Sequence, residues 1–470
     1  MKVLLYGSGN RCRILIEFLK NSEYKIYGIV DSNPEKWGKY ICDIPVSSPD
    51  LLRIQDDIYV CVTFYSSLVN EPIWDELYNK YGVPYERQIT FYDLLLKIYI
   101  NKYKNNDFAL NEKNWTVFLD GSWNLDLGGV ESWIKDTFMY FNNDSMSDIK
   151  LLTDKNKVDF DIRKKNNIVD LSFNDKMDYS NYAVNKCLIF IIENLPCTLI
   201  FSRVDVLLIA ACIIKSKYPN KIKIISTIHG SCDGTIRDTL SFRQYIDKYV
   251  CVSQGIRNII LSKGIIECKV YNMTVPIKFK IPQKSNHKND KLINIGYAGR
   301  LEIFEKRMDI LIKLISELES RSILYNINIA GNGNCYNMIK DFIQTNNLGN
   351  HVFLLGYIPR ERMSVFWAEQ DIAINVSDNE GRPISNMEAM LYGAVPVVTE
   401  TIGILDDVKN GENGLVVPIN DYKEMANKIV YLSENRDVLR SMSQKAITEI
   451  KSKMSVEKYI LLWKSILYDL

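Results

Sequence analysis

The 470-residue chain has only three histidines, no CxxC pair and no long apolar run. Because it carries neither an HExxH motif nor a Cys/His cluster, we do not expect a built-in metal site. Its ten cysteines are scattered, which is typical of a reduced cytoplasmic protein. The apolar run at 206–214 falls well short of the ~20 residues that span a membrane. The start, MKVLLYGSGN, reads as a strand and a glycine turn rather than a secretory signal.

Neither sign of charge is in excess, since 58 Lys and Arg stand against 57 Asp and Glu. This balance argues against a nucleic-acid partner. Residues 203–291 depart from it, with 16 Lys and Arg against 6 Asp and Glu. Peripheral contact with an anionic membrane surface is one interpretation of that segment, and a solvated lysine-rich surface is the other.

Short apolar strands alternate with helical patterns along the chain, which predicts α/β units with parallel or mostly parallel sheets. The length suits two or three domains. We expect a small Rossmann-like domain at 1–105 and two larger Rossmann-like domains at 115–285 and 286–455. A C-terminal helix at 456–470 is expected to pack back on the second domain.

Two polar stretches, 101–114 and 282–290, are expected to connect these domains. The first helix is expected at Arg13–Leu19. The expected strands are Lys2–Tyr6, Lys25–Val30, Ile58–Phe64, Thr116–Asp120, Ile149–Thr153, Asn167–Leu171, Thr198–Ser202, Ile222–Thr227, Tyr249–Ser253, Leu292–Ala298, Tyr325–Ala330, Val352–Leu355, Ile372–Val376, Val395–Val398 and Leu415–Val417.

The stretch 378–400 carries the strongest candidate site. Glu380 follows an expected strand, and Pro383 suits the first turn of a helix because no N–H is needed there. Glu388 then lies one to two turns inside that helix, so the two carboxylates flank a helix start at the carboxyl edge of a sheet. The free N–H groups of the helix favour a phosphate, and the carboxylates suit sugar or ribose hydroxyls. A capping acid with a solvent-facing acid is the alternative.

A second candidate site follows the strand expected at 292–298. Arg300 offers a rigid fork and Lys306 a point charge, a combination suited to gripping a diphosphate. Arg307, next in the chain, is the alternative to Lys306. The glycine turn at 329–333 is by itself weak evidence for a ligand.

Together these pieces resemble the retaining glycosyltransferases of family 4, which have the two-domain GT-B fold. The similarity covers about 115–470 and is strongest over 292–420. The matching motifs are GGVE at 128–131, TIHG at 227–230, VS at 252–253, YN at 271–272, GRL with a lysine at 299–306, IAGNG at 329–333, the glutamates at 380 and 388 with seven residues between them, and GENGLVVP at 411–418.

The resemblance implies a role for each matching residue. Glu380 would contact the hydroxyls of a donor sugar and Glu388 the ribose of its nucleotide. Arg300 and Lys306 would neutralise the diphosphate leaving group, and His229 would lie near the donor sugar or else be a structural residue at a strand end. The residues implied to bind the donor are Gly128, Gly129, Gly299, Glu380, Gly381, Arg382, Pro383, Ile384 and Glu388.

The first domain resembles the small nucleotide-binding domain found ahead of some sugar acyltransferases and sugar-nucleotide dehydratases. Gly7 and Gly9 fit a phosphate-approach turn, and Asp31 lies where a ribose-binding acid would sit. Cys12 replaces the third glycine, and this incomplete fingerprint disfavours a redox enzyme. We favour an accessory docking or homo-oligomerisation module over a second nucleotide site, and expect that deleting 1–105 leaves donor binding largely intact.

The resemblance therefore implies a GT-B enzyme preceded by a small extra domain. Such an enzyme would move a hexose from a UDP- or GDP-sugar to a glycan or lipid-linked acceptor, with retention and without a metal or other cofactor. Its place would be surface polysaccharide or glycoconjugate biosynthesis in the cytoplasm, peripheral at the inner face of the membrane. The alternative is a nucleotide-sugar-binding regulatory or scaffold protein with an inert GT-B body, against which the presence of both glutamates and both cations argues.

Overall fold

The computed structural model describes residues 1–468 with several gaps. The residues outside the description are 21, 55–56, 64–71, 111–112, 122–127, 144–145, 147, 155–166, 172–177, 275, 278–290 and 469–470. The expected connector at 282–290 and the end of the strand expected at Ile58–Phe64 therefore lie outside the described residues.

The first domain is a small sheet with the strand order β3-β4-β2-β1-β5-β6. All its neighbours are parallel except the edge pair β3 and β4, which are antiparallel. Strands β3, β4 and β6 were not expected from the sequence. The elements are β1 (Lys2–Tyr6), α1 (Asn10–Leu19), β2 (Lys25–Val30), β3 (Tyr40–Ile41), β4 (Ile44–Ser47), β5 (Ile58–Val62), α2 (Pro72–Asn79), β6 (Gln88–Thr90) and α3 (Phe91–Tyr103).

The second domain is a parallel sheet with the order β13-β12-β11-β10-β7-β8-β9. Its central strand β10 is buried on every residue, as expected for a parallel strand covered on both faces. The elements are β7 (Thr116–Asp120), α4 (Gly129–Asn142), β8 (Lys150–Thr153), β9 (Ile168–Asp170), α5 (Asn181–Glu193), β10 (Cys197–Phe201), α6 (Val206–Lys217), β11 (Ile222–Ile228), α7 (Asp233–Leu240), β12 (Lys248–Cys251), α8 (Gln254–Ser262) and β13 (Val270–Asn272).

The third domain is a parallel sheet with the order β16-β15-β14-β17-β18-β19. The reversal of strand order beside β14 creates the crevice in which such sheets bind ligands. The elements are β14 (Leu292–Ala298), α9 (Met308–Glu319), β15 (Leu324–Ala330), α10 (Tyr336–Thr345), β16 (Val352–Gly356), α11 (Arg360–Ala368), β17 (Ile372–Asn375), α12 (Ile384–Leu391), β18 (Val395–Thr399), β19 (Leu415–Val417), α13 (Tyr422–Glu434), α14 (Arg436–Lys453) and α15 (Val456–Tyr468).

Helix α15 packs against α4 of the second domain. The indole of Trp463 is fully buried and lies edge-to-face on the ring of Phe141, with 5.6 Å between centroids. The hydroxyls of Tyr459 and Thr137 are hydrogen-bonded at 2.7 Å. The chain thus returns from the third domain to the second, so the second domain is built from two separate parts of the sequence.

Helix α6 lies at the centre of a hydrophobic core that the first two domains share. The run 206–214 is at most 1% exposed at every residue, which is why it is apolar on all sides. One side packs on α5 and another on α3 of the first domain. A single buried cluster extends from the first sheet through Leu95 and Tyr99 of α3 to Leu207 and the second sheet.

Polar contacts tighten the same interface between the first two domains. The hydroxyls of Tyr92 and Tyr179 are 2.8 Å apart, and the hydroxyl of Tyr99 donates to the carbonyl of Tyr179. Tyr103 is also buried, so Asn101–Tyr103 complete α3 rather than begin the connector expected at 101–114. The first domain is therefore fixed to the second by a continuous core, and not by a polar linker alone.

This shared core changes the expected result of deleting residues 1–105. Removal of α3 exposes one side of α6, and each large apolar side chain returned to water costs about 1.5–3 kcal/mol. We predict that the truncated protein aggregates or binds the dye ANS strongly, as measured by size-exclusion chromatography and fluorescence against the full-length chain. A monomeric truncation that unfolds cooperatively at the full-length temperature would show that the interface is dispensable.

Candidate active site

A cleft of about 1520 Å³ lies between the carboxyl ends of the second and third sheets. Typical pockets for one small ligand measure about 300–1,000 Å³, so this cleft has room for more than one such ligand. His229 and Gly128 line it from the second domain, and Lys306 and Glu380 from the third. The cleft brings together the candidate residues that the sequence placed on separate domains.

Glu380 is held in the loop after β17 by donors that converge on one oxygen. Its Oε1 accepts hydrogen bonds from Lys306 Nζ at 2.6 Å, Ser377 Oγ at 2.8 Å and Asn375 Nδ2 at 3.1 Å. The residue is 8% exposed and borders the cleft. Among the described residues these donors all use Oε1, which leaves Oε2 to accept a hydroxyl from a ligand.

The loop between β14 and α9 supplies Lys306 rather than Arg307 to the cleft. Arg307 turns to Asp309 and Asp378, with the guanidinium 2.9 Å from Asp309 and 3.4 Å from Asp378. Glu305 and Arg307 both adopt a positive φ, which is unusual for residues with side chains. This alternation directs the side chain of Lys306 to Glu380 and that of Arg307 away.

Arg300 lies at the mouth of the cleft and is the more exposed of the two cations. Its side chain is 58% exposed and pairs with Glu302 and, at 3.7 Å, with Glu305. Burial raises the pKa of Glu305, although Lys306 and Arg300 oppose that rise. Arg300 and Lys306, the two cations predicted to bind a diphosphate, are therefore each paired with a carboxylate in this structure.

The start of α12 faces the cleft with an uncapped N-terminus. Pro383 occupies the N-cap position, and no side chain caps the first turn. Pro383 and Ile384 border the cleft together with Ser385. The first N–H groups of a helix carry partial positive charge, so this end of α12 favours an anion.

Glu388 borders the cleft one turn further along α12 and is surrounded by charges from both domains. Arg360 of α11 makes a bidentate pair with Asp136 of α4, with 2.9 Å from Nη1 to Oδ1. Burial raises the pKa of Glu388 to about 7, while Arg360 lowers it and Asp136 raises it further. Glu388 is thus poised between its neutral and charged forms at neutral pH.

His229 directly follows β11 on the opposite wall of the cleft. Its Nε2 lies 2.9 Å from Thr227 Oγ1, and its ring packs edge-to-face on Trp133 with 4.8 Å between centroids. Burial, with a smaller contribution from Arg203, lowers the pKa of His229 to about 3. The imidazole is therefore neutral at physiological pH and can offer hydrogen bonds but no charge.

Gly128 and Gly129 begin α4 on the same wall and border the cleft. Gly128 has φ +146°, and a Cβ there would lie 2.1 Å from Glu131 Oε2. Glu131 in turn is paired with Arg203. This turn requires glycine because both the backbone angle and the adjacent carboxylate exclude a side chain. Trp123, which precedes it, lies outside the described residues.

The glycine turns of the third domain pack on each other. A Cβ on Gly331 would lie 1.9 Å from the carbonyl oxygen of Gly299. Both residues border the cleft. The IAGNG turn therefore serves to place the Gly299–Arg300 backbone at the cleft, a role that its sequence alone did not indicate.

Arg382 borders the cleft, but its guanidinium links the two large domains. It contacts Asp407 through Nε at 2.9 Å and Nη2 at 2.6 Å, and its Nη1 donates to the carbonyl of Val252 at 3.1 Å and to Thr274. Its side chain is only 5% exposed. Arg382 was expected to bind the donor, but in the structure its guanidinium is hydrogen-bonded to Asp407, Val252 and Thr274.

Gly7, Gly9 and Asp31 do come together in the first domain. Gly7 has φ +102°, and Gly9 caps α1. The Asp31 carboxylate accepts the backbone N–H of Ser8 at 2.9 Å and pairs with Lys36 at 3.0 Å. Burial opposes ionisation of Asp31, but these hydrogen bonds outweigh it and lower its pKa. The carboxylate of Asp31, which was expected to hold a ribose, is thus already hydrogen-bonded within the glycine turn.

Sequence reasoning missed several residues that line or bridge the cleft. The pair formed by Asp136 and Arg360 spans 224 residues of sequence, so no local spacing could have revealed it. Arg11 and Tyr92 of the first domain also border the cleft, although that domain was expected to be separate. Within the described part of the chain no group of His, Cys, Asp and Glu is assembled to hold a metal ion. No described helix is both long and apolar enough to cross a membrane.

The chain is similar in sequence to one family model and to several known proteins. The family model described as "Glycosyl transferases group 1" matches residues 278–449. An uncharacterized glycosyltransferase of Methanocaldococcus jannaschii is 25% identical over 251 residues, which are 52% of this chain and 68% of that protein. The poly(ribitol-phosphate) alpha-N-acetylglucosaminyltransferase of Staphylococcus aureus is 28% identical over 173 residues, but the match covers only 36% of this chain and 34% of that protein.

Among solved structures, HepE of Anabaena in complex with UDP and glucose is similar, with a TM-score of 0.60 and 15% identity. The match covers 76% of this chain and all of that one. The fold class expected from the sequence is confirmed: the structural neighbours are GT-B glycosyltransferases, and an extra α/β domain precedes the GT-B body. The family model and the relatives support a glycosyltransferase.

The backbones of the two large domains approach each other closely at Gly381, and this contact offers a test. A Cβ there would lie 1.7 Å from the carbonyl oxygen of His229. We predict that Gly381→Ala lowers the free energy of unfolding by about 1–3 kcal/mol and increases the radius of gyration by separating the domains. Denaturant unfolding and small-angle scattering measure both effects.

Gly349→Ala is the matched control, because a Cβ at Gly349 meets no atom within 4 Å. The control should leave the scattering profile unchanged. Equal behaviour of the two variants would show that the domains do not meet at Gly381 in solution.

Proposed function

We propose that the protein is a retaining glycosyltransferase that moves a hexose from a nucleotide-sugar donor, with UDP or GDP as the nucleotide, to a glycan or lipid-linked acceptor. The observation that carries the proposal is the Lys306–Glu380 pair beside the uncapped start of α12, opposite His229. A cation, a helix N-terminus and a carboxylate are thereby gathered where an anionic leaving group and a sugar would meet. The name of HepE in complex with UDP and glucose supports UDP as the first nucleotide to test.

In this proposal the donor diphosphate lies at the start of α12 between Lys306 and Arg300. The helix N–H groups and the two cations stabilise the charge that develops as the sugar–phosphate bond breaks. These groups supply the positive charge without a metal ion, which is why we propose a metal-independent reaction. The departing phosphate would assist attack of the acceptor on the same face of the sugar, giving retention.

The two carboxylates would bind the two ends of the donor. Glu380 Oε2 would accept hydroxyls of the sugar, while Oε1 stays held by Ser377, Asn375 and Lys306. Glu388, further along α12, would accept the ribose hydroxyls. His229, neutral at physiological pH, would orient the sugar by hydrogen bonding from the opposite wall.

The proposed setting is surface polysaccharide or glycoconjugate biosynthesis in the cytoplasm, with peripheral contact at the inner face of the membrane. The Staphylococcus aureus relative is named for transfer to poly(ribitol phosphate), which supports a surface polymer as the acceptor class. The basic segment 203–291 supports contact with an anionic surface.

A panel of UDP-, GDP- and ADP-sugars tests the donor. We predict that one nucleotide sugar stabilises the folded protein by ~2.7 kcal/mol at a hundredfold excess over its Kd and so raises the melting temperature. The same nucleotide sugar should be consumed when acceptor lipid or glycan extract is added. Release of the nucleoside diphosphate measures the reaction. Stabilisation without consumption would instead support a regulatory binding protein with an inert GT-B body.

Replacement of Glu380 tests the carboxylate at the reacting centre. Glu380→Gln keeps an oxygen for Ser377 and Asn375 but removes the charge that Lys306 and the sugar contact. We predict a fall in kcat of roughly 10²–10³ with the fold retained, because a group aimed at the reacting atoms contributes on that scale. Steady-state kinetics and circular dichroism measure the two parts.

Glu369→Gln is the control, since Glu369 is an exposed acid that ends α11 of the same domain. It should behave as the wild type. Full turnover in Glu380→Gln would remove Glu380 from the reacting centre.

The raised pKa of Glu388 gives a pH test of the ribose contact. Glu388 is neutral below about pH 7 and charged above it. Hydrogen bonds from hydroxyls to a charged carboxylate are about twice as strong as those to a neutral carboxyl group. The affinity for the donor should therefore rise by about fivefold from pH 6 to pH 8. We predict that Glu388→Gln removes this rise, as measured by calorimetry with the intact nucleotide sugar. A rise that persists in the variant would assign the titration to another group.

A further inference from the structure

The cleft is bordered by the first domain as well as by the two larger domains. Arg11, at the start of α1, and Tyr92, at the start of α3, border the same cleft as Glu380 and His229. The candidate donor residues on α12 and in the β14–α9 loop belong to the third domain. The first domain therefore adds to the second-domain side of the cleft, where Arg11 lies beside Asp238 of α7.

Helix α7 presents a polar face between these two sites. Thr235, Asp238 and Thr239 all border the cleft, and their spacing of three and four residues puts them on one side of the helix. Thr235 lies close to Gly230, since a Cβ at that glycine would be 3.5 Å from its side chain. The face thus begins beside His229 and continues about one turn, ~5 Å, toward the first domain.

Arg11 is fixed in position at the far end of this face. It is 4% exposed and lies over the rings of Phe91 and Tyr92, each 4.9 Å from the guanidinium. Its Nη2 donates to the hydroxyl of Tyr92 at 3.0 Å, and its Nη1 lies 3.9 Å from Asp238 Oδ2. The contact with Asp238 is longer than a hydrogen bond, so a ligand hydroxyl can bridge the two groups.

Arg11 and Arg203, which border the cleft from the first and second domains, each lie beside an acid. Arg11 faces Asp238, and Arg203 is paired with Glu131. Burial raises the pKa of Asp238 to about 7, and Arg11 opposes that rise. A matched cation and acid beside threonine hydroxyls suit neutral hydroxyl groups better than a phosphate or carboxylate.

We propose that the first domain completes the acceptor site, in which Arg11, held in position by Tyr92, and the α7 face of Thr235, Asp238 and Thr239 bind a neutral polyhydroxyl portion of the acceptor, a sugar ring or a polyol. The proposal rests on the proposed function, because it takes the third domain as the donor side. It gives the extra domain a part in acceptor selection without any role for its own glycine turn.

Separate measurements of the donor and acceptor halves of the reaction test this assignment. The full-length protein is given the nucleotide sugar that stabilises it most. Hydrolysis of that donor in water reports on the donor side, and transfer reports on the acceptor side. The acceptor probes are glycerol, ribitol and methyl glycosides of glucose, galactose and N-acetylglucosamine, with glycerol 3-phosphate and ribitol 5-phosphate as charged counterparts.

The variants are Asp238→Asn and Arg11→Lys, with Ser241→Ala as the control. Ser241 bonds to Thr90 across the same domain interface at 2.7 Å but does not border the cleft, so it reports on the interface alone. We expect the first two variants to raise KM for the best neutral acceptor about tenfold or more, with donor hydrolysis changed less than twofold. The control should change neither. Arg11→Lys keeps the positive charge in the buried site, so its effect measures the loss of the guanidinium group and not the loss of a cation.

Each result decides the proposal. Wild-type KM in both variants, an equal loss of donor hydrolysis, or the same effect in Ser241→Ala would assign Arg11 and Asp238 to the domain interface only. Transfer to the charged probes alone, or hydrolysis with no transfer to any probe, would overturn the neutral polyhydroxyl assignment. A wild-type protein that consumes no nucleotide sugar at all would overturn the proposed function itself and this inference with it.

Discussion

The backbone contact between Gly381 and His229 is the constraint on which the cleft depends. A side chain at position 381 would overlap the carbonyl oxygen of His229, so the third domain can approach the second only because this residue is a glycine. The approach is secured on one side by Arg382, whose partners Asp407 and Val252 lie in different domains. Glu380 is the residue next to the contact, and it borders the cleft between the two domains. The geometry of the candidate site follows from a domain contact rather than from either domain alone.

The features beside this contact contribute little to stability. The buried pair of Lys306 and Glu380 removes two charges from water, and such pairs are often no more stable than apolar residues of the same size. The positive φ values of Glu305 and Arg307 cost about 1–3 kcal/mol each. A loop selected for stability alone would avoid both features. Their joint presence at the cleft fits the proposed function, in which Lys306 meets the negative charge of the donor while it stays paired with Glu380.

Much of the fold was predictable because its strands are buried and parallel. Such strands are continuous apolar runs that end at glycine turns, and the expected strand at Leu292–Ala298 is confirmed to the residue. The strands that were missed are two to four residues long, as at Tyr40–Ile41 and Gln88–Thr90, and lack a continuous apolar run. The equally short strand Leu415–Val417 is apolar throughout and was expected. Pairing with a neighbouring strand defines them, and a neighbour in space is not visible in a local stretch of sequence.

The candidate site divides in the same way. Glu380 and Glu388 were found because both belong to one strand–turn–helix segment, and their roles stay predictions. Arg382 lies in that segment too, yet its position there could not reveal that Asp407 holds its guanidinium. Arg11 belongs to the first domain and reaches the cleft only through tertiary packing.

The apolar run at 206–214 connects the first domain to the chemistry of the cleft. In a domain with one exposed helix layer, α6 would carry polar residues on its outer side. Here it is apolar throughout, because α3 covers that side. The same packing fixes the start of α3, and with it Tyr92 and the guanidinium of Arg11 that lies on its ring. A sequence feature that serves hydrophobic burial thus also determines where the first domain meets the cleft, so changes in this core and changes in acceptor binding are expected to be coupled.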